Sequence, residues 1–336
     1  MPRATLFGYA AFVAALAAVW GIEIWAVPWV DMYLTSVVVR MGINMLAAVG
    51  LSLVLGITGQ FSLGHAGFMA IGAYVAGYLS LHAGLPPMAA TLVGGVVAAL
   101  GGLAVGLPSL RLSGDYLAVV TLGFNGIIIV VIQNTKALGA ALGLTGLPQA
   151  TNFGWTYTWL LLGTVFLRNL VRSAHGRTLM AVRDNEIAVR SLGIDTTRAK
   201  VTAFVIGAFW AGISGGLIAF LNASISPGQF DYNRSIELVA MVVLGGTASL
   251  SGALLAAGIL TVLPELLRVL PELMASLPLP ASLLAALAEW LPLVAQNRMV
   301  LYSFVLIVMM LMRPQGLMGS RELIDLFWRP KKVAEV

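Results

Sequence analysis

Apolar stretches about twenty residues long recur from one end of this chain to the other, and little else in the sequence limits its fold so severely. They occupy residues 6–22, 34–57, 61–81, 88–107, 116–132, 155–171 and 201–221, followed by shorter ones at 236–244, 253–263 and 299–312. A helix needs about 20 apolar residues to cross roughly 30 Å of hydrocarbon. In lipid the backbone must bond to itself, which leaves helices and closed barrels as spanning structures. The runs are too long for strands, so the expected fold class is an all-α polytopic membrane protein with about ten transmembrane helices, eight at the fewest. Only 10% of the residues are charged, against about 25% in soluble domains. No large soluble domain fits beside the spans, and residues 1–336 are read as a single transmembrane domain. The first run follows Arg3 and carries Ala15 and Ala17 in a weak cleavage pattern; with so many later spans, a retained first helix is expected.

Basic residues in short loops mark the cytoplasmic side. Residues 172–200 hold Arg172, Arg177, Arg183, Arg190, Arg198 and Lys200, and residues 313–336 hold Arg313, Arg321, Arg329, Lys331 and Lys332. Six crossings before the first group and four after it place both termini in the cytoplasm. The net charge of +5 is thereby assigned to orientation, and nucleic acid is not an expected partner because no basic and aromatic surface is visible. Prolines 264, 271, 278, 280 and 292 interrupt apolar turns, so 264–298 is expected to form short helices on the extracytoplasmic surface. There is no cysteine, hence no disulfide, thiolate ligand or thiol nucleophile. Neither a metal nor a cofactor is expected.

Small residues recur at helical spacing: Ala66, Ala70, Ala73 and Gly77; Gly94, Ala98, Gly102 and Gly106; Ala203, Gly207, Ala211, Gly215 and Ala219. Such stripes let helix backbones approach in lipid, or they line a pathway. Two segments then break the apolar pattern. The first, 56–67, carries Gly59, Gln60, Ser62, Gly64, His65 and Gly67; the second, 245–252, carries Gly245, Gly246, Thr247 and Ser249. Glycine-interrupted hydrophobic segments in both halves of a transporter point to a substrate site. The alternative is a pair of tight surface turns whose polar side chains act as caps. His65 is either a packed, hydrogen-bonded ring or a relay or ligand-binding group, and Glu237 and Glu265 are either intramembrane carboxylates or run-edge groups hydrated by the headgroups. Asp115 and Arg111 are expected to form a surface pair worth at most about 1 kcal/mol.

The loop 176–195 alternates charged residues with Leu179, Val182, Ile187 and Leu192. Asp184 is placed to cap a second short helix and Gly193 to end it. An apolar face in such a loop serves the membrane surface, a docking partner, or simple connection.

These motifs resemble those of the branched-chain amino acid ABC transporter permeases. The resemblance rests on Gly59-Gln60-Phe61-Ser62-Leu63-Gly64-His65-Ala66-Gly67-Phe68 with Ala70-Ile71-Gly72-Ala73-Tyr74, and on residues 176–193 with Arg198, Lys200 and Ala203-Phe204. Gly245-Gly246 through Ser251-Gly252 and Arg313-Pro314-Gln315-Gly316-Leu317 complete it. It covers about 34–319 and implies the ABC importer permease fold in a bacterial plasma (inner) membrane. The implied partners are a homologous second permease, two cytoplasmic ABC ATPase subunits and an extracytoplasmic substrate-binding protein. It also implies that Arg177, Thr178, Leu179, Val182, Arg183, Asp184, Glu186, Ile187, Arg190, Leu192 and Gly193 form the surface that couples to the ATPases. The chain holds no G-x-x-x-x-G-K-[ST] loop, so it is expected to be a transport subunit rather than an enzyme. Spans nearly free of charge suit a zwitterion with an apolar side chain. Urea or short amides, or an ion-coupled carrier, are the alternatives; a membrane-embedded enzyme lacks paired carboxylates or clustered histidines in the spans. Proline content in 264–297 departs from the family pattern, which leaves that segment's role open.

Overall fold

The computed structural model describes residues 3–109 and 114–276, and, nearer the C-terminus, 303–304, 307–308, 311–312 and 316–319. Its long helices are α1 (Arg3–Trp25), α2 (Met32–Leu51), α3 (His65–Ala83), α4 (Pro87–Ser109), α5 (Asp115–Asn134) and α6 (Phe153–Arg172). Two short ones come next, α7 (Ala174–Asp184) and α8 (Glu186–Ser191), and then α9 (Thr196–Asn222), α10 (Tyr232–Gly245) and α11 (Leu250–Ser276).

Among the described residues, seven helical stretches are long and apolar enough to cross a membrane: Phe12–Trp29, Met32–Ile57, His65–Ala83, Pro87–Ser109, Tyr116–Asn134, Thr196–Asn222 and Leu250–Val269. The chain is therefore a multi-pass membrane protein. α6 and α10 lie outside that set for different reasons. α6 carries Arg168 and Asn169 near its end, with Thr156, Tyr157 and Thr158 in its first turns, which dilute its hydropathy; α10 has 14 residues, or about 21 Å at 1.5 Å per residue. The run at 299–312 is described only at three helical fragments.

Helices α3, α4 and α9 form the tightest part of the bundle, and the small-residue stripes explain why. A Cβ on Gly72 would stand 2.1 Å from the Gly212 carbonyl, one on Gly94 2.5 Å from that of Gly72, and one on Gly215 1.9 Å from that of Met69. These backbones touch, a closeness that any side chain would forbid. Gly207 turns the other way, toward Val54 and Gly50 of α2. Of the two uses for such stripes, packing is the one realised here; association in lipid depends on such close contacts because the solvent offers no hydrophobic drive.

α1 packs along α6 through an edge-on contact of Trp20 with Trp155 at 5.5 Å, and Glu23 accepts a hydrogen bond from the Gly154 backbone at 3.0 Å. At the same end, β1 (Leu144–Thr145) pairs antiparallel with β2 (Ser224–Ile225), a feature that apolar runs do not reveal. Two expectations are corrected. Pro264 does not end the apolar run at 253–263, because α11 continues unbroken through Pro264 and Pro271 to Ser276; neighbouring helices satisfy groups freed by proline within a bundle. Asp184 does not cap α8: Asn185 does, accepting from the Ala188 N–H at 3.0 Å, while Asp184 pairs with Arg183. Residues 277–298 and the expected Arg111–Asp115 pair lie outside the described side chains.

Candidate functional site

The first glycine break begins inside α2. At Ser52–Ile57 the helix widens to a π turn, and the Thr58 N–H bonds to the Leu53 carbonyl at 3.1 Å. Such bulges recur at functional sites. Gly59 then takes φ +70°, a left-handed conformation open to glycine at no cost, and the chain leaves the helix.

From Gly59 the chain climbs without regular structure into the bundle. Gly56 sits against Thr247, yet only ten residues later the Ala66 N–H bonds to Ser235 Oγ at 3.1 Å. Ser235 precedes Gly245 by about 15 Å along α10. α3 thus starts deep within the bundle, beside Gly50 and Trp210 rather than level with the end of α2. Along the way Gln60, Ser62 and His65 are buried. Gln60 Nε2 donates to the Lys200 carbonyl at 3.2 Å, the Leu63 N–H to Thr121 Oγ1 at 3.0 Å, and the Gly64 N–H to Ser62 Oγ at 3.4 Å. A Cβ on Gly67 would meet Asn125 Oδ1 at 2.8 Å. Gln60 Oε1, His65 Nε2 and Asn125 Oδ1 are buried with no hydrogen-bond partner among the described residues. Irregular backbone of this kind persists at depth only where protein buries it or it lines a cavity.

The second break is compact. α10 ends at Gly245, Gly246 adopts φ +107°, and Ser249 Oγ accepts from the Gly252 N–H at 3.0 Å to cap the start of α11. Gly245 and Gly252 face each other so closely that a Cβ on either would strike the other's backbone. The two breaks also meet, since a Cβ on Gly56 would lie 1.8 Å from the Thr247 carbonyl. Residues of the C-terminal motif close the group: the Leu317 N–H donates to Leu244 at 2.7 Å and the Met318 N–H to Gly245 at 3.1 Å.

The loop expected to be cytoplasmic touches the same place. Arg183 Nη1 donates to the Gly56 carbonyl at 3.2 Å, and its side chain lies against Gly59. Glu186 accepts from Lys200 Nζ at 2.5 Å, from Arg190 at 3.1 Å and from Thr196 Oγ1 at 3.1 Å, which pins α8 to the start of α9. Partial burial would raise the Glu186 carboxyl, but Lys200, Thr196 and Arg190 outweigh it and hold the group below its ordinary value. The apolar face of the loop divides. Leu179 and Val182 are 4% and 3% exposed, packed beneath α7, whereas Ile187 on α8 and Leu192 just after it are 81% and 78% exposed. Arg177 and Thr178 lie on the outer side of α7, and Gly193 takes φ +80° after α8 ends.

The sequence-predicted residues therefore converge on one end of the bundle, except His65 and Gly67, which stand deeper. Thr121, Asn125 and Ser235 belong to this site and were not among the expected residues. A signal existed for the first two, polar groups one helical turn apart in an otherwise apolar run.

A family profile described as "Branched-chain amino acid transport system / permease component" matches residues 33–312. The chain belongs to this permease family. Among its relatives is the high-affinity branched-chain amino acid transport system permease protein LivM of Salmonella typhimurium, 33% identical over 311 residues, covering 82% of this chain and 68% of the relative. LivM of Escherichia coli is 32% identical with the same coverage. The autoinducer 2 import system permease protein LsrC of Klebsiella pneumoniae is 28% identical over 177 residues, 43% of this chain and 51% of the relative. No solved structure matches. As a member of the branched-chain amino acid permease family, the chain is a transport component. Both breaks and the α7–α8 loop fall inside the matched residues.

Proposed function

We propose that this chain is the membrane-spanning permease of an ATP-driven importer that carries branched-chain amino acids across a bacterial plasma (inner) membrane by alternating access. Its similarity to the two LivM permeases supports the substrate class. Its partners in this reading are a homologous second permease, two cytoplasmic ATPase subunits and an extracytoplasmic substrate-binding protein, with both chain termini on the cytoplasmic side. The chain is not itself an enzyme; without a phosphate-binding loop of its own, it takes its energy from the ATPases.

The observation that carries the mechanism is the hydrogen bond from Arg183 to the Gly56 carbonyl, at the point where Gly56 meets Thr247. Displacing α7–α8 moves this arginine, and the arginine holds the end of α2 against the second break. Ile187 on α8 and Leu192 just after it, both bare, supply an apolar patch for the ATPase surface. ATP-driven closure of the partners biases one of two arrangements of the helices, the kind of two-state element that coupling requires. Gly59–Gly67 and Gly245–Ser249 line or border the substrate path in this scheme, and the chain just beyond the 250–269 span contributes to the extracytoplasmic surface.

The test is uptake of labelled L-leucine by the whole complex in proteoliposomes loaded with ATP, with urea and acetamide as competitors. Leucine uptake that needs ATP and is untouched by collapse of the proton gradient supports the proposal. Uptake of urea instead, or leucine uptake by this chain alone without ATPase subunits, overturns it. Ile187→Asp with Leu192→Asp is expected to strip the ATPases from the complex during purification while leaving the permease folded.

A further inference from the structure

At the end of the bundle away from α7–α8, helices α2, α9, α10 and α11 surround a half-open cavity of about 710 Å³. Small-molecule sites are typically about 300–1,000 Å³. Part of its wall is apolar, from Ile43, Leu221, Met241 and Leu260; the remainder is dominated by Arg40, Asp231, Arg234, Glu237 and Glu265.

Most of these charges already have partners. Arg234 pairs with Glu237 at 3.0 Å and also donates to Asn44 Oδ1, and Asn44 in turn donates to Thr261 at 2.9 Å, which ties α10, α2 and α11 together. Glu265 pairs with Arg268 at 3.3 Å. Two charges are left over. The Arg40 guanidinium bonds to the neutral amide of Asn222 at 3.0 Å and has no carboxylate partner among the described residues. The Asp231 carboxylate accepts from the Arg234 backbone at 3.2 Å and from Asn233 at 2.9 Å, again with no cation among the described residues. Arg40 stands about 12 Å along the helix that begins at Met32, level with Asn222 at the end of α9, and its side chain is exposed to the cavity. A charged side chain within an apolar helix of a membrane protein is uncommon and generally marks a substrate pathway or a partner charge.

We infer that this cavity is an acceptance site for the free amino acid, with Arg40 binding its α-carboxylate, Asp231 its α-ammonium, and the apolar wall its side chain. One unmatched cation and one unmatched anion beside an apolar surface are complementary to a zwitterion carrying a hydrocarbon side chain. A guanidinium grips a carboxylate through two parallel N–H bonds. Glu237, next along the α10 wall, already shares its charge with Arg234 and acts to hold that arginine rather than the ligand. The inference rests on the proposed amino-acid transport and adds to it a place and a set of contacts.

The experiment uses the complete complex in nanodiscs, without the substrate-binding protein. Binding of labelled L-leucine is measured in competition with leucinamide, which lacks the carboxylate, and with 4-methylpentanoate, which lacks the ammonium. The wild-type complex is expected to prefer leucine over both by about tenfold or more, the effect of one charged hydrogen bond. Arg40→Gln keeps a donor for Asn222 and should lose the preference over leucinamide alone. Asp231→Asn keeps a good helix cap and should lose the preference over 4-methylpentanoate alone. If both variants bind and discriminate as the wild type does, the site assignment is overturned. If leucine affinity is unchanged and only uptake stimulated by the binding protein falls, the charges serve a protein surface and the assignment is likewise overturned. A wild-type complex that imports urea but no amino acid sinks the amino-acid reading itself, a result distinct from failure of the site.

Discussion

The two ends of this bundle solve opposite problems. At the α7–α8 end backbone meets backbone: Gly56 against Thr247, Gly245 against Gly252, Gly246 against Gly316. At the other end, α2, α9, α10 and α11 stand apart around a charged cavity whose side chains reach across to one another. Glycine at the first end removes the atoms that would hold the chain segments apart, so the segments shift together. Long polar side chains at the second end bridge gaps instead, and leave room for a solute. The proposed transport, with ATPases at one end and amino acid entering at the other, would draw on this asymmetry.

The largest effect that would break the contrast comes from restoring a side chain where backbones touch. Gly56→Leu places its Cβ against the Thr247 carbonyl, so the cost should exceed the roughly 1–3 kcal/mol of ordinary overpacking. The expected outcome is loss of the folded permease in size-exclusion profiles. At the opposite end, Gly228 has open space around it, and Gly228→Ala should change stability by no more than about 0.5 kcal/mol in thermal melts. Equal damage from the two would erase the distinction.

A smaller effect sharpens it. Arg183→Ala removes the donor to Gly56 but leaves the glycine contacts in place. Since that side chain is about one-third exposed, a stability loss of about 1 kcal/mol is expected, with a much larger fall in ATP-dependent uptake. Matching losses in both would mean that the arginine only supports the fold.

The smallest concerns acid. Because the folded-state pKa of Glu186 is lowered, its interaction with Lys200 contributes stability above the unfolded value of 4.5 and loses it as pH falls through the folded value. Melting temperatures recorded from pH 6 down to pH 3 should show a shallower acid limb for Glu186→Gln than for the wild type. An identical limb would show that this carboxylate contributes nothing to acid sensitivity.

Much of the architecture was legible as periodicity. The runs at 88–107 and 201–221 became α4 and α9 with little change, because length and apolar content alone decide that a segment spans, and the glycine stripes announced where backbones would touch. Pro264 misled for a reason that is equally physical: a proline ends an isolated helix, but inside a bundle the neighbours absorb the cost. The two breaks looked alike, each with Gly-x-x-Ser-Leu, and proved different. One is a tight turn; the other climbs to meet Ser235 and Thr121. Which partner accepts a backbone N–H is a matter of tertiary placement, and no local pattern at 56–67 names a residue on α5 or α10. The split of the loop's apolar residues between the interior and the outside was hidden in the same way.

The touch between Gly56 and Thr247 joins positions roughly 190 residues apart in the chain. At synthesis rates of about 5–20 residues per second, the ribosome takes on the order of 10–40 s to deliver the second partner after the first. Through that interval the widened end of α2 waits in the bilayer without its lock. The contact between the two breaks thus forms only once most of the chain has been made.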